Sequence, residues 1–151
     1  MRTIIALMLL AAWPITARAG QPTATEAVFR QFGLLGDWAI DCKRPAAADN
    51  PHVSDTVLSP GVVTERHDLG ADNVVNRYSV LSAEPLSQTQ VALQVLFQPG
   101  GPNEQRQRLI LVVRDGTRRT VFNQAVDGPV EVKDGVSVKY GLPTPLLRKC
   151  E

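Results

Sequence analysis

Apolar and polar residues alternate with a period of two over most of the chain. The alternation is clearest at 89–97, where Val91, Leu93, Val95 and Phe97 fall on one face and Gln90, Ala92, Gln94 and Leu96 on the other. Runs at 37–42, 52–58, 61–68, 74–81, 104–114, 117–126, 130–133 and 136–140 also read as strands. Turn formers separate them: Ser59-Pro60-Gly61, the cluster at 69–73, the Pro- and Gly-rich stretch at 99–103, and Asp127-Gly128-Pro129. Asp115-Gly116 and Asp134-Gly135 are two-residue hairpin signals, because a type I′ turn needs positive φ at both central positions. One segment departs from the pattern. Thr23 and Glu26 have capping-box spacing, Ala27, Val28, Phe29 and Phe32 follow, and Gly33 offers a stop, which predicts a helix over 24–32. The expected fold class is therefore all-β: an antiparallel meander of about eight strands with one short N-terminal helix. Closure into a full or partial barrel removes the exposed edges of such a sheet, and a two-sheet sandwich is the alternative.

The strand at 37–42 is the one on which the other elements converge. Trp38, Ile40 and Cys42 share a face if it is extended, which would point an aromatic anchor and a covalent staple into one core. Asp41 alternates to the other side and reads as a solvated or capping acid.

The chain opens with Arg2, an apolar run at 3–12, the break Trp13-Pro14 and the small-x-small triplet Ala17-Arg18-Ala19. This is the layout of a secretory signal peptide, so 1–19 is expected to be removed and 20–151 to form one domain. The apolar run is shorter than the roughly 20 residues a membrane-spanning helix needs. The full chain has 16 basic and 15 acidic residues; losing Arg2 and Arg18 leaves 14 against 15, a net charge of −1. Nothing in that balance suits phosphate neutralisation, so nucleic acid is not an expected partner. The protein should be periplasmic or secreted, with no stable membrane insertion after cleavage. In an oxidising compartment its two cysteines, Cys42 and Cys150, are expected to form a disulfide; two free thiols are the alternative.

Candidate chemistry is sparse. His52 and His67 are the only histidines. In a strand Glu65 and His67 share a face, so the carboxylate could orient the imidazole, but a zinc site normally recruits three or four ligands. The expectation is a solvent-facing strand with no metal and no cofactor. No nucleophile elbow or phosphate-binding Gly-rich loop occurs, and no catalytic residue is assigned; the protein is read as a non-enzyme. Arg106 and Arg108, with Arg114, Arg118 and Arg119, would form a basic surface around one hairpin. A solvated surface is the first reading of this patch and an anion site the alternative; because Arg is favoured at interfaces, it is also the best candidate surface for a protein partner.

A helix, then Gly36-Asp37-Trp38 on a first strand, then a meander, is similar to the lipocalin and wider calycin families. The resemblance implies that Trp38 closes the base of a barrel and that a late Arg packs over it, with Arg148 the first candidate and Arg119 the second. The chain also resembles small exported bacterial proteins that begin Trp-x-x-Asp-Cys and end Arg-x-Cys, here Trp38, Asp41, Cys42, Arg148 and Cys150; these carry no activity across. The calycin resemblance implies a small apolar or amphipathic ligand in the barrel. The second expectation is a protein-binding module, such as an inhibitor of a periplasmic hydrolase. Small periplasmic lysozyme inhibitors are similar in size and terminal cystine, but their Ser-Gly-x-x-Tyr motif is absent here.

Overall fold

The computed structural model describes residues 23–58 and 61–151. The segment at 1–19 that is expected to be a signal peptide lies outside the described residues, as do Ser59 and Pro60. One helix, α1 (Ala24–Gln31), precedes ten strands among the described residues: β1 (Gly36–Ala39), β2 (His52–Leu58), β3 (Val62–Asp68), β4 (Asn76–Pro85), β5 (Gln90–Phe97), β6 (Gln105–Arg114), β7 (Thr117–Ala125), β8 (Val130–Lys133), β9 (Val136–Ser137) and β10 (Leu147–Lys149). Every neighbouring pair from β1 to β9 is antiparallel, and β10 lies between β1 and β7. The strands β1–β7 and β10 therefore form a closed eight-stranded antiparallel barrel, with β8 and β9 outside it as an added hairpin arm. The sandwich alternative is excluded by that closure.

β7 makes this arrangement by changing partners along its length. Its first residues pair with β10, Leu147 opposite Arg118, and its last pair with β8, Asn123 opposite Val132. Register shifts in β4 between Val80 and Ser82 and in β6–β7 after Ile110 are bulges, which bend a strand and increase its twist as barrel curvature requires. At the β6–β7 turn Asp115 and Gly116 have φ of 50° and 70°, and at the β8–β9 turn Asp134 and Gly135 have 51° and 75°. Both pairs adopt the positive φ that the Asp-Gly signals predict.

Helix α1 begins at Thr23, whose hydroxyl accepts the Glu26 N–H at 3.2 Å. Only half of the capping box forms, because the Glu26 carboxylate turns along the helix to accept from Arg30 at 2.6 Å. The helix ends in a Schellman motif: the Leu34 N–H donates to the Phe29 carbonyl, the Gly33 N–H to that of Arg30, and Gly33 has φ of 63°. The motif turns Leu34 back beside Phe29, and both side chains are fully buried. Packed on β4 and β3, α1 uses Phe29 to close one end of the barrel. The Thr23 hydroxyl donates to the Gly61 carbonyl and pins the helix start to the β2–β3 turn.

The expected shared face of Trp38, Ile40 and Cys42 is corrected. Trp38 is buried, but β1 stops at Ala39 and Ile40 is 39% exposed. Cys42 lies at the surface. The cause is the loop at 41–50. Its buried Asn50 accepts the Asp41 N–H and donates from Nδ2 to the carbonyls of Asp41, Arg44 and Pro45 at 3.0–3.2 Å. This bonding draws the chain off the sheet after Ala39. Asp41 caps the turn, accepting the Lys43 N–H.

Cys42 and Cys150 form the disulfide, with Cα atoms 5.7 Å apart and a sequence separation of 108. It ties the loop after β1 to the end of β10, the two strands that close the barrel. Reduction should lower stability by about 2–5 kcal/mol, measured as a shift in urea midpoint with and without reductant. An unchanged midpoint would mean that closure does not depend on the staple.

Candidate functional site

The inward positions of β2 and β3 are Val53, Asp55 and Val57, and Val63, Glu65 and His67, with Asp55 directly opposite Glu65 and Val53 opposite His67. Two acids thus occupy barrel positions where the pattern calls for apolar side chains. Their partner comes from β7. Alternation turns Arg118 inward, where it is 3% exposed; its Nη2 donates to Glu65 Oε2 at 2.6 Å and its Nη1 to Asp55 Oδ2. The other oxygen of Glu65 meets His67 Nε2 at 2.5 Å. The result is a chain Asp55–Arg118–Glu65–His67 running from the barrel interior towards its open end.

Burial pushes the Asp55 carboxyl well above the usual carboxylate range; Arg118 opposes this and the facing Glu65 adds to it. Burial works against the charge of Glu65 too, but Arg118 and then His67 outweigh it and hold Glu65 well below its ordinary value. Asp55 Oδ1 is buried without a hydrogen-bond partner, which leaves an oxygen to carry the proton. One guanidinium, one carboxylate and one neutral acid then balance in charge. Arg118 itself stays charged, since Asp55 and Glu65 together overcome the cost of its burial.

The two acids should therefore respond differently to substitution. Asp55→Asn keeps a neutral group able to accept from Arg118, so it should change stability by less than ~1 kcal/mol at pH 7, as a near-isosteric swap of a hydrogen-bonded group does. Wild-type Asp55, with its folded value raised, binds more protons folded than unfolded between about pH 4 and that raised value, so it lowers stability as pH rises; Asp55→Asn should flatten that fall. Glu65, with its folded value depressed, contributes stability above its unfolded value of about 4.5 that is lost on acidification. Glu65→Gln should cost about 1–3 kcal/mol at pH 7, with the deficit shrinking below pH 4.5. Urea unfolding at several pH values checks both, and equal damage from the two substitutions would contradict the proton assignment.

Trp38 stands against this network. Its Nε1–H donates to the Leu34 carbonyl at 2.8 Å, Arg118 lies 5.6 Å from its ring centre and Lys149 Nζ 4.5 Å. Lys149 also donates to the carbonyls of Gly33 and Leu35. The cations over Trp38 are thus Arg118 and Lys149, one position away from each expected arginine. Arg148 alternates outward and is exposed, and Arg119 turns to donate to the Gly135 carbonyl and the Thr144 hydroxyl. The expected basic surface is corrected likewise, because Arg118 is in the barrel; Arg108 lies over Phe122 outside it. The expected solvent-facing reading of Glu65 and His67 is also overturned: Glu65 is buried, and the His67 ring packs 4.9 Å from that of Tyr78, itself 5.2 Å from Phe97.

A cavity of about 240 Å³ opens at the end of the barrel away from α1. Val53, Leu69 and Leu147 give it apolar walls, and His67, Asn76, Arg118, Arg119 and Thr120 give it polar ones. His67 and Arg118 belong both to the cavity lining and to the buried network, so this mouth is the candidate site. Among the described residues no cluster of three or more His, Cys, Asp or Glu could hold a metal ion. No protein family, curated protein or solved structure matches the chain. The closed eight-stranded barrel is compatible with a calycin-like architecture.

Proposed function

We propose that this is an exported, non-enzymatic binding protein that takes a small amphipathic ligand at the open mouth of its barrel. The observation that carries the reading is the cavity of about 240 Å³, walled by apolar and polar side chains together. Convergent polar groups in a mostly apolar recess are the usual form of a small-molecule site. The volume lies below the roughly 300–1,000 Å³ of drug-sized pockets, and the barrel beyond it is filled by Arg118, Trp38 and the aliphatic core. A long apolar chain threaded down the barrel axis does not suit that interior. A relation to lipocalins belongs to the same proposal and rests on Gly36-x-Trp38, the helix and the meander. Native mass spectrometry of protein purified from its own periplasm should find a retained small molecule. Leu69→Trp, which would fill the mouth from its rim, should remove it. Protein that carries nothing, and whose mouth resonances respond to no member of a small-amphiphile panel, would overturn the reading.

A second reading has its own observation. The arm formed by β8, β9 and the segment after them exposes Val138, Tyr140 (67%) and Leu142 (65%) beside a cleft of about 510 Å³ lined by Pro129, Val130 and Val132. Apolar side chains grouped on a projecting hairpin suit a protein-binding module. In that case a partner should co-purify with the parent protein and be lost with Tyr140→Ser.

A further inference from the structure

We propose that a recess at the α1 end of the barrel, opposite the open mouth, is a second ligand site, and that its ligand is a short saccharide. The recess measures about 450 Å³, within the roughly 300–1,000 Å³ of small-molecule sites. Phe32, Val113 and Trp38 give it an apolar lining. Its polar lining comes from three separate segments: Gln31 at the end of α1, Gln88 in the β4–β5 turn, and Arg114 and Asp115 at the β6–β7 turn. Backbone hydrogen bonds hold these segments in place. The Gly33 N–H donates to the Arg30 carbonyl, the Val113 N–H to that of Thr89, and the Lys149 N–H to that of Gly116. The second of these draws the β4–β5 turn onto the end of β6. The backbone around the recess is thus set before a ligand arrives, which lowers the cost of ordering.

The polar groups of the rim are uncommitted. Gln31, Gln88, Arg114 and Asp115 are all exposed, and among the described residues none of their side chains holds a hydrogen bond or an ion pair within the chain. Lys149, which also lines the recess, is engaged: its Nζ donates to the carbonyls of Gly33 and Leu35 and lies over the Trp38 ring. Gly33 and Gly116 border the recess without side chains, and the space beside each is open. The mixture of free groups decides the ligand class. Each Gln amide offers two donors and an acceptor, Arg114 offers donors only and Asp115 acceptors only. Asp115 opposes an anion, and Arg114 and Lys149 oppose a cation. A hydroxyl donates and accepts at once, so a ring of hydroxyls answers all four side chains. A sugar ring also carries a face of C–H groups, which suits Phe32 and Val113. A peptide fits less well. Extended peptides gain affinity by main-chain pairing at an open sheet edge, and β6, β7 and β10 are each paired on both sides here.

The test is an NMR titration of the exported protein with maltose, lactose and N,N′-diacetylchitobiose, and with tetra-alanine, propionate and propylammonium as probes of the other classes. At least one saccharide should shift the side-chain amide resonances of Gln31 and Gln88 and the indole N–H resonance of Trp38. It should leave Asn76 and Thr120, at the open mouth, unmoved, and bind at least about ten-fold more tightly than any of the other probes. The double variant Gln31→Ala, Gln88→Ala should weaken that saccharide about ten-fold or more and keep the rest of the spectrum in place, because neither side chain is bonded within the chain. A peptide or ion that binds the recess as tightly as the best saccharide would overturn the ligand class. A double variant that binds as well as the parent would overturn the site, as would three saccharides that leave Gln31, Gln88 and Trp38 unmoved. None of these outcomes touches the mouth-ligand reading, whose ligands report at Asn76 and Thr120.

Discussion

Arg118→Ala should cost about 3–5 kcal/mol, the range expected when one partner of a buried ion pair is removed and the other charge is left behind. Among the described residues Arg118 is the only cation bonded to both Asp55 and Glu65, and the two acids are buried, at 1% and 4% exposed. The substitution also opens a void beside Trp38. Its pH dependence gives the charge contribution away. Without Arg118, burial raises the folded value of Glu65 above its unfolded value, so the variant's stability should fall as pH rises above about 4.5. The deficit relative to the parent should therefore shrink on acidification from pH 7 to pH 5, the opposite of a simple cavity mutant. A variant that replaces Arg118, Asp55 and Glu65 together with apolar residues of similar volume should be near neutral in stability or more stable than the parent, as such replacements often are. Urea unfolding of the single and triple variants measures both. A near-neutral Arg118→Ala would mean that water reaches the acids. A strongly destabilised triple variant would mean that the network specifies the barrel itself.

The same network marks the limit of what the sequence reveals. Strands and turns were legible because their signals are local: period-two alternation, Asp-Gly turns, and a capped, Gly-terminated helix. Closure by β10 was not, because three residues with one apolar position among them carry no strand signal; Leu147–Lys149 becomes a strand by lying between β1 and β7. One half of the site left a trace. Asp55 stands in phase with Val53 and Val57, an acid on an apolar face, and Glu65 pairs in phase with His67. The other half did not, since Thr117-Arg118-Arg119-Thr120 is polar throughout and nothing in it says which arginine turns inward. The register against β6 and β10 decides that. The same one-residue ambiguity moved the cation over Trp38 from Arg148 to Lys149. Ile40 and Cys42 were misassigned because alternation holds only while the strand lasts, and Asn50, whose bonds end it, lies eight or more residues downstream.

Trp38→Ala should be as damaging as loss of Arg118, at about 3–5 kcal/mol, the usual cost of deleting a large buried aromatic. Trp38 is 2% exposed and heads the core that includes Phe29, Leu34 and Leu147. It joins three parts of the barrel at once. Its Nε1–H holds the Leu34 carbonyl just after α1, Lys149 over its ring belongs to the closing strand β10, and Arg118 belongs to β7. Trp38→Phe separates these contributions. It keeps much of the packed area but leaves the Leu34 carbonyl without its donor, so it should cost about 1–3 kcal/mol. In a Trp13→Phe chain the remaining indole reports on this position alone. Its emission should be blue-shifted in the folded protein and move red in urea, with the same midpoint as far-ultraviolet circular dichroism. A ligand held at the open mouth should leave that emission nearly unchanged, because Trp38 is not among the residues lining it. Folded-state emission resembling that of the unfolded chain, together with a near-neutral Trp38→Ala, would remove Trp38 from the core and with it the reason β1, β7 and β10 meet where they do.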